Sequence, residues 1–448
     1  MARPLLQAFA ATAAIAMVPL ATGAMAQVDS NSYRELDLFM DVYNRVKSEY
    51  VDKVDDKTLV KGAIQGMLAA LDPHSSYVDA LDFENMRIQT EGNYGGLGLT
   101  VTQEDGAVKV IAPNEDSPAA RAGIKAGDYI THINGKLIFG EALDEAIEGM
   151  RGQPGTKVTL TVVRPGRDKP MELTMAREVI VQKPVKWEVK SGVGIININT
   201  FSASTGADTR AAIMAIDKSL GHKPTGYIVD LRSNGGGLLT QAIEVSDAFL
   251  ERGEIVSQRG REKADIERYY ARAGDLAGGL PIIVLVDAGT ASASEIVAGA
   301  LQDHHRAIVM GERTFGKGSV QTLLQLGPSN ALRLTTARYF TPSGRSVQEG
   351  GIEPDLSVPQ LTDEDYKSRP VFREADLRRH LINEAKVDNK VLEEDAKTDP
   401  RFAATAEQLK KQGVEDFQLD YAVKTIARLG TPAQVAAATT PAKAAAKR

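Results

Sequence analysis

The chain has no cysteine among its 448 residues. That excludes disulfide staples, thiolate metal sites, a lipid-anchored N-terminal cysteine and a cysteine nucleophile, so core packing and hydrogen bonds must hold the fold. Tryptophan is nearly missing as well; Trp187 is the only one and reads as a packing residue. Neither sign of charge dominates: 53 Lys+Arg face 59 Asp+Glu, and no basic block is dense enough for nucleic acid. Beyond residues 5–20 no apolar run approaches membrane length. Histidine is sparse, with His74, His132, His222, His304, His305 and His380 making the whole set.

What is present begins with a leader. Arg3 precedes the apolar segment, and Ala24-Met25-Ala26 offers small residues where a signal peptidase reads. This predicts a secretory signal at residues 1–26, with retention as a membrane anchor as the alternative. The remaining length suits two to four domains. Residues 27–90 read as helical: Leu59, Ala63, Ile64, Met67, Leu68 and Leu71 recur at helical spacing, and Asp72-Pro73 stops the run. That stripe suits core packing. An earlier one, Leu36, Phe39, Met40, Tyr43 and Val46, suits either the core or a partner subunit.

From residue 91 the texture turns to glycine and short strands. Tyr94-Gly95-Gly96-Leu97-Gly98-Leu99 precedes an alternating strand. Ser117-Pro118-Ala119-Ala120-Arg121-Ala122-Gly123-Ile124-Lys125-Ala126-Gly127-Asp128 and Tyr129-Ile130-Thr131-His132-Ile133-Asn134-Gly135 follow. Over residues 91–178 this resembles a PDZ domain of the bacterial protease type. The resemblance implies that Gly95, Gly96, Leu97, Gly98 and Leu99 receive the terminal carboxylate of a protein tail added as an extra strand.

Residues 179–358 alternate strands, glycine turns and helices, the pattern of an α/β layer with its site at the strand ends. Strands are predicted at 193–198, 226–232 and 281–287, the last without polar alternation and therefore buried on both faces. The turn Asn234-Gly235-Gly236-Gly237 lacks the lysine and Ser/Thr of a phosphate loop. Residues 359–430 read as charged and helical. Residues 431–448, rich in Ala, Thr, Pro and Lys, read as a flexible tail.

The chemistry concentrates in Gly289-Thr290-Ala291-Ser292-Ala293-Ser294-Glu295 and Thr314-Phe315-Gly316-Lys317-Gly318. Ser292 follows a buried-type strand and opens a helix, whose N-terminal N–H groups favour a developing oxyanion. Thr290, Ser292 and Ser294 are also plausible helix caps. A serine nucleophile needs a base. His304 and His305 lie at the far end of that helix, roughly 18 Å away at about 1.5 Å per residue. Lysine serves when desolvation lowers its pKa, and Lys317 sits between glycines.

Here the resemblance is specific. The two segments just quoted, with Leu301-Gln302-Asp303, Asp230-Leu231-Arg232-Ser233-Asn234-Gly235-Gly236-Gly237-Leu238-Leu239, Thr341-Pro342-Ser343-Gly344-Arg345, Gly351-Ile352-Glu353-Pro354-Asp355 and Leu71-Asp72-Pro73-His74-Ser75-Ser76-Tyr77, look like the S41 carboxyl-terminal processing peptidases. The family implies a crotonase/ClpP-like α/β core with an inserted PDZ domain and helical terminal regions. It implies Ser292 as nucleophile (Ser294 as the fallback), Lys317 as general base and Gln321 orienting the lysine. The backbone N–H groups of Ala293 and Gly236 would form the oxyanion hole, with Gly235 or Gly237 as substitutes for the latter. Arg164 would contact the peptidase core in the active state. No metal or organic cofactor is implied. Protein C-termini are the expected partners, beside an adaptor protein and self-association through the terminal helices, in the bacterial periplasm or envelope. The rival class is a catalytically silent scaffold that binds C-terminal peptides.

Overall fold

The structure, a computed structural model, describes residues 30–383 and 402–429 apart from Asp105, Asp168, Lys263, Ser329, Lys367 and Arg369. The expected signal and the Ala/Pro/Lys tail lie outside the described residues. Two units are distinguished, residues 1–64 and 65–448.

The first unit contributes α1 (Ser30–Glu49) and the start of α2 (Asp56–Ala69). The Asp55 carboxylate opens α2 by accepting from the Thr58 N–H and hydroxyl. Tyr33, Leu36, Leu38, Phe39, Met40 and Val42 on α1 are all exposed in the single chain. In the second unit the stripe expected to be core is only partly so: Leu68 is buried, while Met67 and Leu71 are exposed. Helical spacing identifies one face but not what covers it.

Strand β1 (Ser76–Val78) and helix α3 (Ala80–Glu91) lead to a two-stranded ribbon, β2 (Asn93–Gly96) paired antiparallel with β9 (Glu178–Val181). The ribbon is the stalk of the inserted PDZ-like block, which begins and ends there. Within the block lie β3 (Leu99–Glu104), β4 (Ala107–Pro113), α4 (Pro118–Arg121), β5 (Tyr129–Ile133), β6 (Lys136–Leu137), α5 (Leu143–Met150), β7 (Lys157–Val163) and β8 (Met171–Ala176). The sheet order β3-β4-β5-β7-β8 leaves β3 at an open edge. Alternate residues of β7, Val158, Leu160 and Val162, enter a core shared with Val110, Ile130 and Ala146.

The main sheet has the order β10-β11-β12-β15-β16-β19. Its strands are β10 (Val185–Lys190), β11 (Val193–Ile198), β12 (Tyr227–Asp230), β15 (Ile282–Val286), β16 (Ile308–Gly311) and β19 (Leu356–Ser357). Only β10 is antiparallel to its neighbour. Helices α6 (Thr205–Leu220), α7 (Leu239–Asp247) and α8 (Ala293–Asp303) cover one face, where Ile196, Val229, Val284 and Val309 point. The other face, Ile195, Ile228, Ile283 and Ile308, is covered by Ala422, Val423 and Ile426 of a C-terminal helix, Phe417–Leu429. Two apolar faces explain strands without polar alternation, and each fully buried aliphatic side chain contributes roughly 1.5–3 kcal/mol.

A second sheet joins β13 (Gly253–Arg259), β14 (Ile266–Ala271), β17 (Ser319–Gln325) and β18 (Ala331–Phe340) to β1. The region after residue 359 departs from the helical expectation. Its described residues hold a 3-10 turn at Glu374–Asp376 and two helices, Ala406–Lys411 and Phe417–Leu429, and residues 377–383 run as a strap without helix.

Candidate active site

The loops that follow β11, β12, β15 and β16 leave the same, carboxyl-terminal edge of the parallel strands. They carry Thr200, the Asn234–Gly237 turn, Ser292 and Lys317. This is where an open α/β sheet places its chemistry.

Ser292 is the N-cap residue of α8 with φ 56° and ψ −114°. Few non-glycine residues hold a positive φ, and the strain of roughly 1–3 kcal/mol is tolerated where neighbours over-determine the backbone. The competing serine and threonine are spent. Thr290 Oγ1 donates to Leu231 O at 2.9 Å, and Ser294 Oγ donates to Asn234 O at 2.9 Å; both residues are fully buried. The Ser292 side chain makes no capping hydrogen bond and remains partly exposed. Of three hydroxyls in the motif, one is free to react.

Glu295 ties Ser292 to Lys317. Its Oε2 accepts the N–H groups of Ser292 at 2.7 Å and Lys317 at 3.0 Å. Its Oε1 accepts the N–H of Gly316 at 2.7 Å and the hydroxyl of Thr314. The residue is fully buried, and burial pushes its carboxyl up to about 7 against the pull of these four donors. One side chain thus sets the spacing of the two loops.

Lys317 is partly buried, and its Nζ has no hydrogen bond or ion pair among the described residues. Desolvation lowers its pKa; Glu374 opposes the shift most strongly, Arg333 adds to it, and Glu295 and Asp72 oppose it. An amine without a partner and with depressed basicity is neutral at lower pH than an ordinary lysine and can then accept a hydroxyl proton. None of the six histidines hydrogen-bonds Ser292. His304, for one, sits on Glu254 O at 2.7 Å, so lysine is the basic group that Glu295 links to the serine.

Gln321 lies on β17, and its Nε2 donates to Ser319 Oγ at 3.0 Å and Thr335 Oγ1 at 3.3 Å. Its Oε1 has no partner among the described residues, and no hydrogen bond joins it to the lysine here. Ala293 N–H likewise donates to no protein acceptor among the described residues. The Gly236 turn is packed against Ser292: a Cβ on Gly236 would lie 2.9 Å from Ala293 N and 2.9 Å from Ser292 Cβ. With φ 100° as well, only glycine fits. The Gly236 N–H is donated to Asn234 Oδ1 at 2.9 Å, whereas Gly235 and Gly237 donate to nothing among the described residues.

The PDZ-like groove is a cavity of about 880 Å³ whose lining includes Leu97, Gly98, Leu99, Ile147, Met150 and Thr200. The N–H groups of Leu97 and Gly98 have no acceptor among the described residues. Gly95 and Gly96 are residues of the ribbon, and Gly96 also lines this cavity. Gly95 O accepts from Gly152 N at 3.0 Å, and a Cβ on Gly95 would fall 2.0 Å from Gly152 O. Glycine at 95 is therefore needed for backbone approach. Arg164 makes its contacts within its own block. Its guanidinium pairs with Asp128 at 2.7 and 2.8 Å and donates to Gly123 O at 2.8 Å, all inside the PDZ-like block.

Two residues with structural claims on the site carried no assigned role in the sequence reading. Glu295 was legible as the fourth residue of a Ser-x-x-Glu capping box. Asn234 is fully buried, accepts from Gly236 N and donates from Nδ2 to Ile198 O at 2.7 Å. Nothing but its place beside the glycines pointed to it.

Comparison with known proteins follows this geometry. The family model for peptidase family S41 matches residues 192–358, a PDZ domain model matches 109–164, and the model of the activating protease CtpB N-terminal domain matches 10–81. A carboxy-terminal-processing protease of Bartonella bacilliformis is 50% identical over 79% of this chain and 82% of its own. The carboxy-terminal processing protease CtpB of Bacillus subtilis is 34% identical over 76% of this chain and 71% of its own. Among solved structures, a photosystem II D1 C-terminal processing protease aligns at 28% identity over 73% of this chain and 88% of that one, with a TM-score of 0.43. On its sequence relatives, the chain belongs to peptidase family S41 as a serine peptidase of the carboxy-terminal processing group.

Proposed function

We propose that this peptidase is exported, takes protein tails into its PDZ groove and cleaves them through an acyl-enzyme on Ser292. Lys317 removes the hydroxyl proton as Oγ bonds to the scissile carbonyl carbon. The carbonyl oxygen becomes an oxyanion facing Ala293 N–H and a donor from the Gly236 turn. Collapse breaks the C–N bond, and the lysine returns its proton to the leaving amine. Water, deprotonated by the same lysine, then releases the acyl group. Gln321 Oε1 steadies the amine.

The observation that carries this reading is the Glu295 bridge, which holds the backbone of an unspent serine and an unspent lysine to one carboxylate. Because Lys317 must be neutral to act, activity rises with pH through its pKa. Export is supported by the leader-like residues 1–26; no helix of the described residues is long and apolar enough to cross a membrane. Cleavage is gated by the PDZ domain, subunits associate through the terminal helices, and an adaptor protein presents some substrates.

Two measurements test the reading. Replacing Ser292 by alanine in the host should lengthen the C-termini of a defined set of envelope proteins, seen by terminal proteomics. Unchanged C-termini would rule the reading out. Deleting residues 91–177 should change the cleavage rate of a tailed substrate sharply, and an unaltered rate would exclude gating.

A further inference from the structure

The motif Asp72-Pro73-His74-Ser75 has no part in the mechanism above, yet it converges on the lysine from behind. Asp72 is buried and accepts from His74 N at 2.8 Å, Ser75 N at 2.8 Å and Ser75 Oγ at 2.7 Å. It also accepts from Thr335 Oγ1 at 3.1 Å, the same hydroxyl that receives Gln321 Nε2. His74 O accepts from Arg333 Nε at 3.1 Å. His74 Nε2 reaches both carboxylate oxygens of Glu374 at 2.9 Å.

Glu374 is fully buried and comes from the turn at the start of the strap. It grips the Lys317 loop on both sides. Its own N–H donates to Phe315 O at 3.1 Å. Its Oε1 accepts from Gln348 Nε2 at 3.0 Å, and Gln348 Oε1 accepts the N–H of Gly318 at 3.0 Å. Next to it, Arg373 donates to Arg313 O at 2.7 Å and Thr314 O at 2.8 Å. Mechanical support alone would not require a carboxylate buried opposite a histidine.

We infer that Glu374, held by His74, is a positioning residue for Lys317: it ties down the lysine loop on both sides and keeps a buried carboxylate beside it. The inference rests on Lys317 being the general base only where it touches rate. A buried carboxylate favours the ammonium form. The charged groups acting on Lys317 are Glu374, Arg333, Glu295 and Asp72. The Asp72–Ser75 segment supplies Asp72 itself and holds Arg333 and, through His74, Glu374. This also gives the strap a use that does not depend on substrate.

The test separates charge from scaffolding. In full-length protein carrying Ser292→Ala, the acetylation rate of Lys317 by acetic anhydride is followed by mass spectrometry across pH. Its midpoint reports the lysine without requiring catalysis. Glu374→Gln, which keeps the shape and the Gln348 contact, should lower the midpoint by about one pH unit, the scale of a nearby opposite charge. His74→Gln keeps a side-chain donor for the Glu374 carboxylate and should leave the midpoint within about 0.3 unit of the parent, so the shift in Glu374→Gln is that of the carboxylate itself. With Ser292 restored, the acid limb of kcat/KM on a cleavable peptide should move in step. A labelling midpoint unmoved in Glu374→Gln overturns the inference, because a structural role alone predicts lost activity without a shift. Should Glu374→Gln not fold, Glu374→Asp, which withdraws the charge by one methylene, should lower the midpoint by about 0.3 unit, and an unmoved midpoint there overturns the inference as well. Labelling shifts without a matching acid limb leave the pair in place and remove Lys317 as the base.

Discussion

The PDZ domain and the peptidase core spend their backbone in opposite ways. In the PDZ domain β3 stands at an unpaired edge, and the N–H groups of Leu97 and Gly98 have no acceptor among the described residues. Around the serine nearly every donor is committed. Ser292, Gly316 and Lys317 donate to Glu295, Gly318 donates to Gln348, and Ala291 donates to Asn234 O. What the core leaves unspent among the described residues is the Ser292 hydroxyl, the Lys317 amine and the few N–H groups of Ala293, Gly235 and Gly237. A surface that recognises any tail by strand addition needs free backbone, because backbone is what all tails share. A reaction centre needs fixed backbone, because misplacement by an ångström removes the near-attack geometry.

The contrast breaks most visibly at Glu295. Glu295→Ala removes the acceptor of four donors and leaves three N–H groups and a hydroxyl buried, at about 1–3 kcal/mol for each one that water cannot reach. Turnover of a short peptide should fall by about 100-fold or more, with a lowered Tm, because both loops lose their common anchor. Steady-state kinetics and thermal melting on the same preparation check both. Activity within a few-fold of wild type would mean that the loops are placed by something else.

A charge in the PDZ groove should act through binding rather than turnover. Ile147 is half-buried on α5 and lines the groove facing the open strand. Ile147→Glu should raise KM for a tailed protein about tenfold, roughly 1.4 kcal/mol, with the change confined to KM. A matching fall in kcat would instead show that the added charge also damages the gate once the tail is bound. Thr200 is among the residues that line the groove, and its hydroxyl donates to Gly236 O at 3.3 Å, which joins that lining to the glycine turn.

These two regions also differ in how much of them could be read from sequence. The core strands were legible because they are buried on both faces; the expected 193–198 coincides with β11. The serine and lysine were legible as motif residues. What could not be read were partners distant in the chain. Glu374 meets His74 across 300 residues, and no periodicity or spacing encodes that pair. Gly95 was misassigned for a related reason. A glycine that receives a ligand and one that receives another backbone look alike until Gly152 is placed against it. The stripe on α2 failed differently, since apolar spacing predicts a face without saying what covers Met67.

The smallest effect belongs to Arg164, and it sharpens the comparison because two readings of this residue predict opposite results. Asp128 is buried, and despite that desolvation its carboxyl is held below the usual range by the Arg164 guanidinium and the Lys125 N–H. A carboxyl depressed on folding contributes stability above its unfolded pKa and loses it as pH falls through the folded one. Arg164→Ala should therefore destabilise the PDZ domain by roughly 2 kcal/mol at neutral pH, because Asp128 keeps its burial and loses its counter-ion. The difference from wild type should shrink on acidification, as Asp128 takes up a proton in both proteins. Hydrogen exchange in β5 and β7 across pH reads this directly, and turnover per folded molecule should stay within a few-fold. Should turnover collapse while exchange is unchanged, Arg164 would be serving the peptidase core, and the ion pair with Asp128 would be only where it rests between engagements.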